Sequence, residues 1–280
     1  MKLLQLSLAV TLASTLLFGP SYPSFAASTT INSPVLLQIN EYNILYTYPK
    51  QPYIDSKQRL IVPLRAVSEL LGASVSYNAE LKQAIIEKNG KKIILTENSN
   101  KIIVDGVVKT MDTVPVVYKQ SFMLPIRVLL DNMNLRGTHD SQTGILHLED
   151  EAINGFNIVK SIKESDIPPD RIANQNGILP TTFDLTLSEL IENKLQQGNI
   201  NLSAKNISGI SIPKGKEDLH VIVIFNNTFQ MEADLNPTTE QLRPRPALIK
   251  DQVFQQKTEF TAGNYGDYLK YILVVGRILK

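Results

Sequence analysis

Two stretches of the chain carry the same order of apolar and polar positions, 62 residues apart. In the first, Leu60-Ile61-Val62-Pro63 runs into Leu64-Arg65-Ala66-Val67-Ser68-Glu69-Leu70-Leu71-Gly72. In the second, Phe122-Met123-Leu124-Pro125 runs into Ile126-Arg127-Val128-Leu129-Leu130-Asp131. Both read as the end of a strand entering a short helix through a proline at the first helical position, where a missing N–H costs nothing and φ is already helical. Val67, Leu70 and Leu71 fall at i, i+3 and i+4, one apolar stripe, and Gly72 stands where a left-handed C-terminal cap would go. A helix burying one face is predicted in each copy.

The flanks repeat as well. Each helix is followed by two short extended runs around a polar turn, at residues 75–86 and 137–148, which read as hairpins. Each Pro-containing strand is preceded by another that also enters through a proline, at Pro52-Tyr53-Ile54 and Pro115-Val116-Val117. Residues 36–48 read as an opening hairpin whose counterpart spans 102–108, where Asp105-Gly106 is a strong turn signal, and Asn89-Gly90 marks a further hairpin. With copies of only about 60 residues, too small for secure independent cores, and a short connection at 96–100, one compact double unit over residues 36–150 is expected.

This constellation resembles the copper amine oxidase N-terminal domain-like family, the stalk domain found in tandem in secreted proteins of Gram-positive bacteria. The residues that carry the resemblance are Pro-Tyr-Ile at 52–54, a polar turn, Val-Pro-Leu-Arg-Ala-Val at 62–67, Leu-Gly-Ala at 71–73 and an aromatic followed by Asn at 77–78. It covers residues 36–150. The second copy departs from the pattern, with Asn134 in place of the glycine, Gly137 where the first copy has Val75, and His139 at the aromatic position. The resemblance implies a fold and no catalysis. In the oxidases the stalk is an appendage, and copper and the Tyr-derived quinone belong to a separate, much larger domain that nothing here matches.

Beyond the repeats, residues 154–180 are rich in turn formers and predict a linker or long loop. Leu187, Leu190, Ile191 and Leu195 at helical spacing predict a helix over 186–197, ending at Gly198. The continuous apolar run 219–225 reads as a buried strand, 228–235 alternates, and 268–279 is a last strand. The fold class expected is therefore α+β, with tandem antiparallel-sheet units at 27–153, each holding one short helix, and a β-rich C-terminal domain of sandwich type at 181–280.

Residues 1–26 read as a secretory signal peptide with Lys2, an apolar run from Leu3 to Phe18 and small residues Ser24 and Ala26 before the cut. The run is too short and too often interrupted by polar residues for a membrane span, so no transmembrane segment is expected in the mature chain. The protein is expected to be secreted or cell-wall associated. It has no cysteine, which excludes disulfides and thiolate chemistry. Lys plus Arg total 28 and Asp plus Glu 27. That balance gives no surplus for nucleic-acid phosphates, and no nucleic-acid partner is expected.

Candidate chemistry is sparse. His139, His147 and His220 are the only histidines. His139 and His147, on opposite strands of one predicted hairpin, lack the third ligand a metal site needs. Glu232 and Asp234 alternate on one strand face, which the wet side of an edge strand explains as well as a glycosidase pair does. No catalytic residue, cofactor or metal ligand is assigned. Arg65 and Arg127, each four residues before an acid, belong with Pro63, Gly72 and Pro125 to the structural motif. Tyr265, Tyr268 and Tyr271, with Phe260, form the candidate partner-binding surface. The function expected is a non-enzymatic cell-envelope protein, its stalk units a spacer or docking platform for a C-terminal binding module whose partner is a cell-wall polymer or another extracellular protein. An extracellular hydrolase acting on wall glycan or peptide, with its site in the C-terminal domain, is the competing expectation.

Overall fold

The computed structural model describes residues 28–231 and 245–280. The expected signal peptide, together with Glu232 and Asp234, lies outside the described residues. The chain opens with β1 (Ser28–Pro34) and the hairpin β2 (Leu37–Ile39) and β3 (Tyr42–Thr47). The first repeat continues through β4 (Tyr53–Ile54), β5 (Leu60–Pro63), α1 (Leu64–Leu70), β6 (Ser74–Asn78), β7 (Gln83–Lys88) and β8 (Lys91–Thr96). The second supplies β9 (Lys101–Val104), β10 (Val107–Thr110), β11 (Val116–Tyr118), β12 (Ser121–Pro125), α2 (Arg127–Met133), β13 (Gly137–His139) and β14 (Leu146–Leu148). Then come α3 (Ala152–Gly155), α4 (Asn157–Ser165), β15 (Ile172–Asn174), β16 (Ile178–Ser188), β17 (Gln197–Asn206), β18 (Glu217–Phe225), β19 (Phe229–Met231), β20 (Val253–Thr261) and β21 (Leu269–Leu279). The fold is mostly β with a few short helices, and each repeat holds one of them.

The two Pro-containing strands pair with each other. In the sheet β11-β12-β5-β4, Val62 faces Leu124, its own counterpart in the repeat, and Ile61 and Pro63 face Pro125 and Met123. A local two-fold axis therefore passes through this pair, and the palindromic strand order follows from it. The same exchange joins the hairpins. The β6-β7 hairpin of the first copy, extended by β8, is completed by β9-β10 of the second, while β13-β14 of the second lies against β2-β3 of the first, β14 parallel to β2. The copies thus form one compact double unit around a shared core that includes Val67, Leu70, Leu71, Leu129 and Met133.

Both helix stripes are buried as the spacing predicts, with Val67, Leu70 and Leu71 fully covered. At the helix ends the prolines depart from the expected first helical position, and the caps are alike in both copies. Pro63 is the residue before α1, extended at φ −68°, ψ 121°, rather than the first helical residue, because it still pairs in β5. Pro125 likewise ends β12, and Ile126 stands between it and α2 as the cap residue. Gly72 is left-handed, at φ +72°, and caps α1 as expected. Asn134 adopts the same conformation after α2, which asparagine tolerates better than most residues.

The C-terminal strands do not stand apart from the repeats. An eight-stranded sheet runs β13-β14-β2-β3-β21-β18-β19, with β15 also on β21, so strands from both sides of the expected boundary share one ladder. The register Tyr271↔Thr47, Leu273↔Ile44 and Val274↔Asn43 makes the join. This sheet is the middle layer. On one face Ile222, Ile224, Tyr271, Leu273 and Val275 pack against the helices and the repeat sheets; on the other, Val221, Val223, Phe225, Ile272 and Val274 pack against the four-stranded sheet β1-β16-β17-β20. Burial on both faces explains why β18 reads as an unbroken apolar run.

Two expected elements are replaced. Residues 154–180 are not a plain linker, for α4 buries Val159 and Ile162 in the repeat core. Behind α4, Asp166 takes two hydrogen bonds from the Arg277 guanidinium at 2.6 and 3.0 Å, and Asp218 takes one from its Nε at 2.8 Å. Burial disfavours the Arg277 charge, yet the hydrogen bonds and charges of the two carboxylates outweigh it and hold the guanidinium protonated well above its ordinary range. Turn-forming residues here mark a clamped crossover. The helix expected over 186–197 is absent too. Residues 186–188 end β16, a turn with Asn193 left-handed follows, and β17 begins at Gln197. Leu190 is exposed, so the helical spacing was coincidental: Leu185 and Leu187 belong to strand alternation. Gly198 caps no helix; a Cβ there would meet the Thr186 carbonyl at 2.6 Å and the Phe260 ring at 2.5 Å.

Candidate functional site

A concavity lies between the turn before β5 in the first repeat and the helix of the second. It is a groove of about 1110 Å³ whose walls are the turn before β5, the end of β10 and the exposed face of α2, with β13-β14 closing one end. Arg59 and Lys57 reach it from the first wall, Lys109 and Met111 from the second, and Arg127 and Asp131 from α2. Local chemistry positions these groups. The Asp55 carboxylate accepts from the Arg59 side chain at 2.7 and 2.9 Å and from the Lys57 and Arg59 amides, which builds the turn. Those hydrogen bonds, that of the Arg59 side chain first, hold the Asp55 carboxyl below its usual range. Asn132 Nδ2 donates to the Val128 carbonyl at 2.9 Å, and Lys109 Nζ approaches Asn132 Oδ1 at 3.5 Å, tying β10 loosely to α2.

The matching place in the first repeat is filled. Strand β21 pairs along β3. The Tyr271 hydroxyl donates to the Ala66 carbonyl of α1 at 3.1 Å, and Lys270 Nζ meets the Glu69 carboxylate at 2.8 Å. Phe156 adds an edge contact to the Tyr271 ring at 6.1 Å. The local two-fold relates β3 and α1 to β10 and α2, so the groove is the uncovered twin of a site that the chain covers itself.

The residues singled out in the sequence separate accordingly. Arg127 lines the groove, whereas Arg65, at 4.0 Å from Glu69, forms the expected helical pair. The three tyrosines do not make one surface. Tyr271 is 0% exposed and belongs to the core, Tyr268 is half-buried against Tyr48 with ring centroids at 4.6 Å, and Tyr265 is exposed. Phe260 is buried against Phe225. Tyr265 and Tyr268 precede β21, and Tyr271 lies on that strand, which is buried on both faces and leaves it no wet side.

His139 and His147 do not face each other. His139 is opposite Leu146 and His147 opposite Thr138, so the one-residue offset sends the imidazoles to opposite faces. His139 points to the groove side, while the His147 ring contacts the Gln38 side chain of β2. His220 is enclosed in β18, 3.8 Å from Asp166. Among the described residues no group of three His, Asp or Glu side chains converges to hold a metal. No helix among them is long and apolar enough to cross a membrane.

The groove itself was missed by sequence reasoning. The only available signal was the polarity of the second copy, which places Lys109 and Asn132 where the first has Ile44 and Leu70.

The structure shows a double unit of strand, strand, helix and hairpin folded about a local two-fold. Residues 38–148 match the family model of the copper amine oxidase N-terminal domain. No curated protein matches the chain. The family occurs typically in extracellular bacterial proteins.

Proposed function

We propose that the protein is an exported, non-enzymatic binding protein of the bacterial cell envelope, in which the stalk-type domain and the C-terminal strands act as one docking platform. The observation that supports it is the shared eight-stranded sheet. A stalk joined to the next module by ladder pairing holds it at a fixed orientation, which suits presenting a surface and does not suit a hinge. The groove in that stalk offers cations and a strand edge that is unpaired among the described residues, a combination apt for holding a ligand. The family label gives no reason to route chemistry through copper, since the three imidazoles occupy separate surroundings and do not fit a common ion.

The test is sedimentation of the mature chain with purified cell walls and with culture-supernatant proteins, alongside assays for released reducing sugar, new amino groups and amine-dependent peroxide. Saturable retention without product formation is expected. Turnover of wall glycan, wall peptide or simple primary amines would overturn the reading and restore an enzyme.

A further inference from the structure

The groove is bounded by a strand edge whose pairing groups have no strand beside them among the described residues. Strand β10 is the last in its sheet. Met111 N donates to the Asn100 carbonyl, in step with the facing pair Val107 and Val104, so the alternation of an antiparallel ladder directs the amides and carbonyls of Val108 and Thr110 outward. Val107 and Val108 are 61% and 62% exposed. An open edge of this kind is a template for another strand. Its symmetry counterpart, β3, shows the occupied form within the same molecule, paired antiparallel to β21 and backed by contacts from β21 to the neighbouring helix.

We propose that β10 and the α2 groove bind an extended, acidic segment of another protein by strand addition, as β3 and α1 bind β21. This deepens the binding-protein reading and rests on it. Backbone pairing to Val108 and Thr110 supplies the adhesion, and alternate side chains enter the groove. The charge of the occupant follows from the walls. Lys57, Lys109 and Arg127 line the groove with Asp112 and Asp131, while the Arg59 cation is already held by Asp55. The lining then keeps one more cation than anions, and Lys109, which lies on the strand edge, favours an acidic residue opposite it. A second copy of this chain is disfavoured by the same lysine, because antiparallel pairing of β10 with itself brings two Lys109 side chains together.

The probe is a short synthetic peptide that alternates threonine and valine about a central glutamate, titrated into isotope-labelled mature protein. The amides of Val108 and Thr110 should move most and gain protection from solvent exchange. A peptide with central lysine should bind about tenfold more weakly, and so should the wild-type peptide to K109E. Val108→Pro removes an outward donor without touching the β9 ladder and should abolish binding. A peptide N-methylated at alternate amides tests the same bonds without altering the protein, should that variant fold poorly. Absence of any shift at saturating peptide, shifts remote from β10, indifference to N-methylation, or concentration-dependent dimerisation through β10 would each overturn the proposal. Should the peptide fail while wall or supernatant retention persists, strand addition falls and the binding function stands; loss of both removes the function as well.

Discussion

The two repeats are built alike and end in different surroundings. Helix α1 is roofed by β21, Tyr271 and Phe156, whereas α2 lines a groove. The side chains differ in step with this. Leu70, fully buried, is Asn132 in the second copy, and Ile44 on the covered strand is Lys109 on the open one. A duplicated unit thus keeps its backbone grammar, the Pro-ended strand and the left-handed cap, while the partner of each copy decides which positions must be apolar. Where none of the described residues covers the surface, polar residues replace the core ones.

The largest effect that can break this comparison is truncation of the roofed position. Leu70→Ala should cost about 2–5 kcal/mol, since it opens a cavity in a packed core. Asn132→Ala should cost about 1 kcal/mol, the value of its hydrogen bond to the Val128 carbonyl and its long, exposed one from Lys109. Denaturant melts of the two variants decide it. Similar losses would mean that the second helix is also covered in solution.

Next comes the cap. Gly72→Ala places a Cβ 2.5 Å from the Ala152 Cβ of α3 and forces a left-handed alanine, so a loss of about 2 kcal/mol is expected. Asn134→Gly, at the uncrowded cap of the other helix, should change stability by about 0.5 kcal/mol at most. If both are neutral, α3 does not pack on the first cap.

Much of the repeat was legible because each of its signals was local. The prolines before the helices, the Asn-Gly and Asp-Gly turns and the i, i+3, i+4 stripes all act within a few residues, and the structure honours them. The mating of the copies was not legible, since Val62 and Leu124 meet through a register that no short window contains. The same holds for β21, whose apolar run announces burial on both faces but not the identity of the neighbours. Leu187 to Leu195 misled for a related reason: a strand end and a turn happened to reproduce helical spacing. Residues 154–180 carry turn formers, and only the tertiary partners Arg277 and Asp218 reveal that they form a clamped crossover.

A smaller effect sharpens the comparison through pH. Burial first, then the Glu69 charge and hydrogen bond, push the Tyr271 phenol well above its ordinary value. A folded-state value above the unfolded one, about 10, means that the neutral phenol contributes fully below that pH and loses its contribution as pH rises beyond it. Tyr271→Phe should therefore cost about 1 kcal/mol near neutrality, for the bond to the Ala66 carbonyl, and should flatten the alkaline loss of stability. Some loss should remain, because burial also raises Tyr42 and Tyr46 on β3. An unchanged alkaline profile would show that Tyr271 does not seal α1.

The smallest expected difference concerns the acid on each helix. Glu69 is half-buried, pairs with Lys270 at 2.8 Å and lies 3.4 Å from the Tyr271 hydroxyl. Its counterpart Asp131 lines the open groove. Partly screened ion pairs contribute little, so Glu69→Gln should destabilise by about 0.5–1 kcal/mol at low ionic strength, and the loss should shrink in high salt as screening removes the attraction first. Asp131→Asn should leave the melt unchanged, yet by removing a negative charge from beside Arg127 it should strengthen binding of the acidic peptide. Stability and binding would then respond to opposite copies: the acid under β21 matters for folding, and the acid in the groove matters for what the groove holds. Equal stability losses for both variants would mean that Asp131 already has a cationic partner in the folded chain, and the groove would have to be closed by the protein itself.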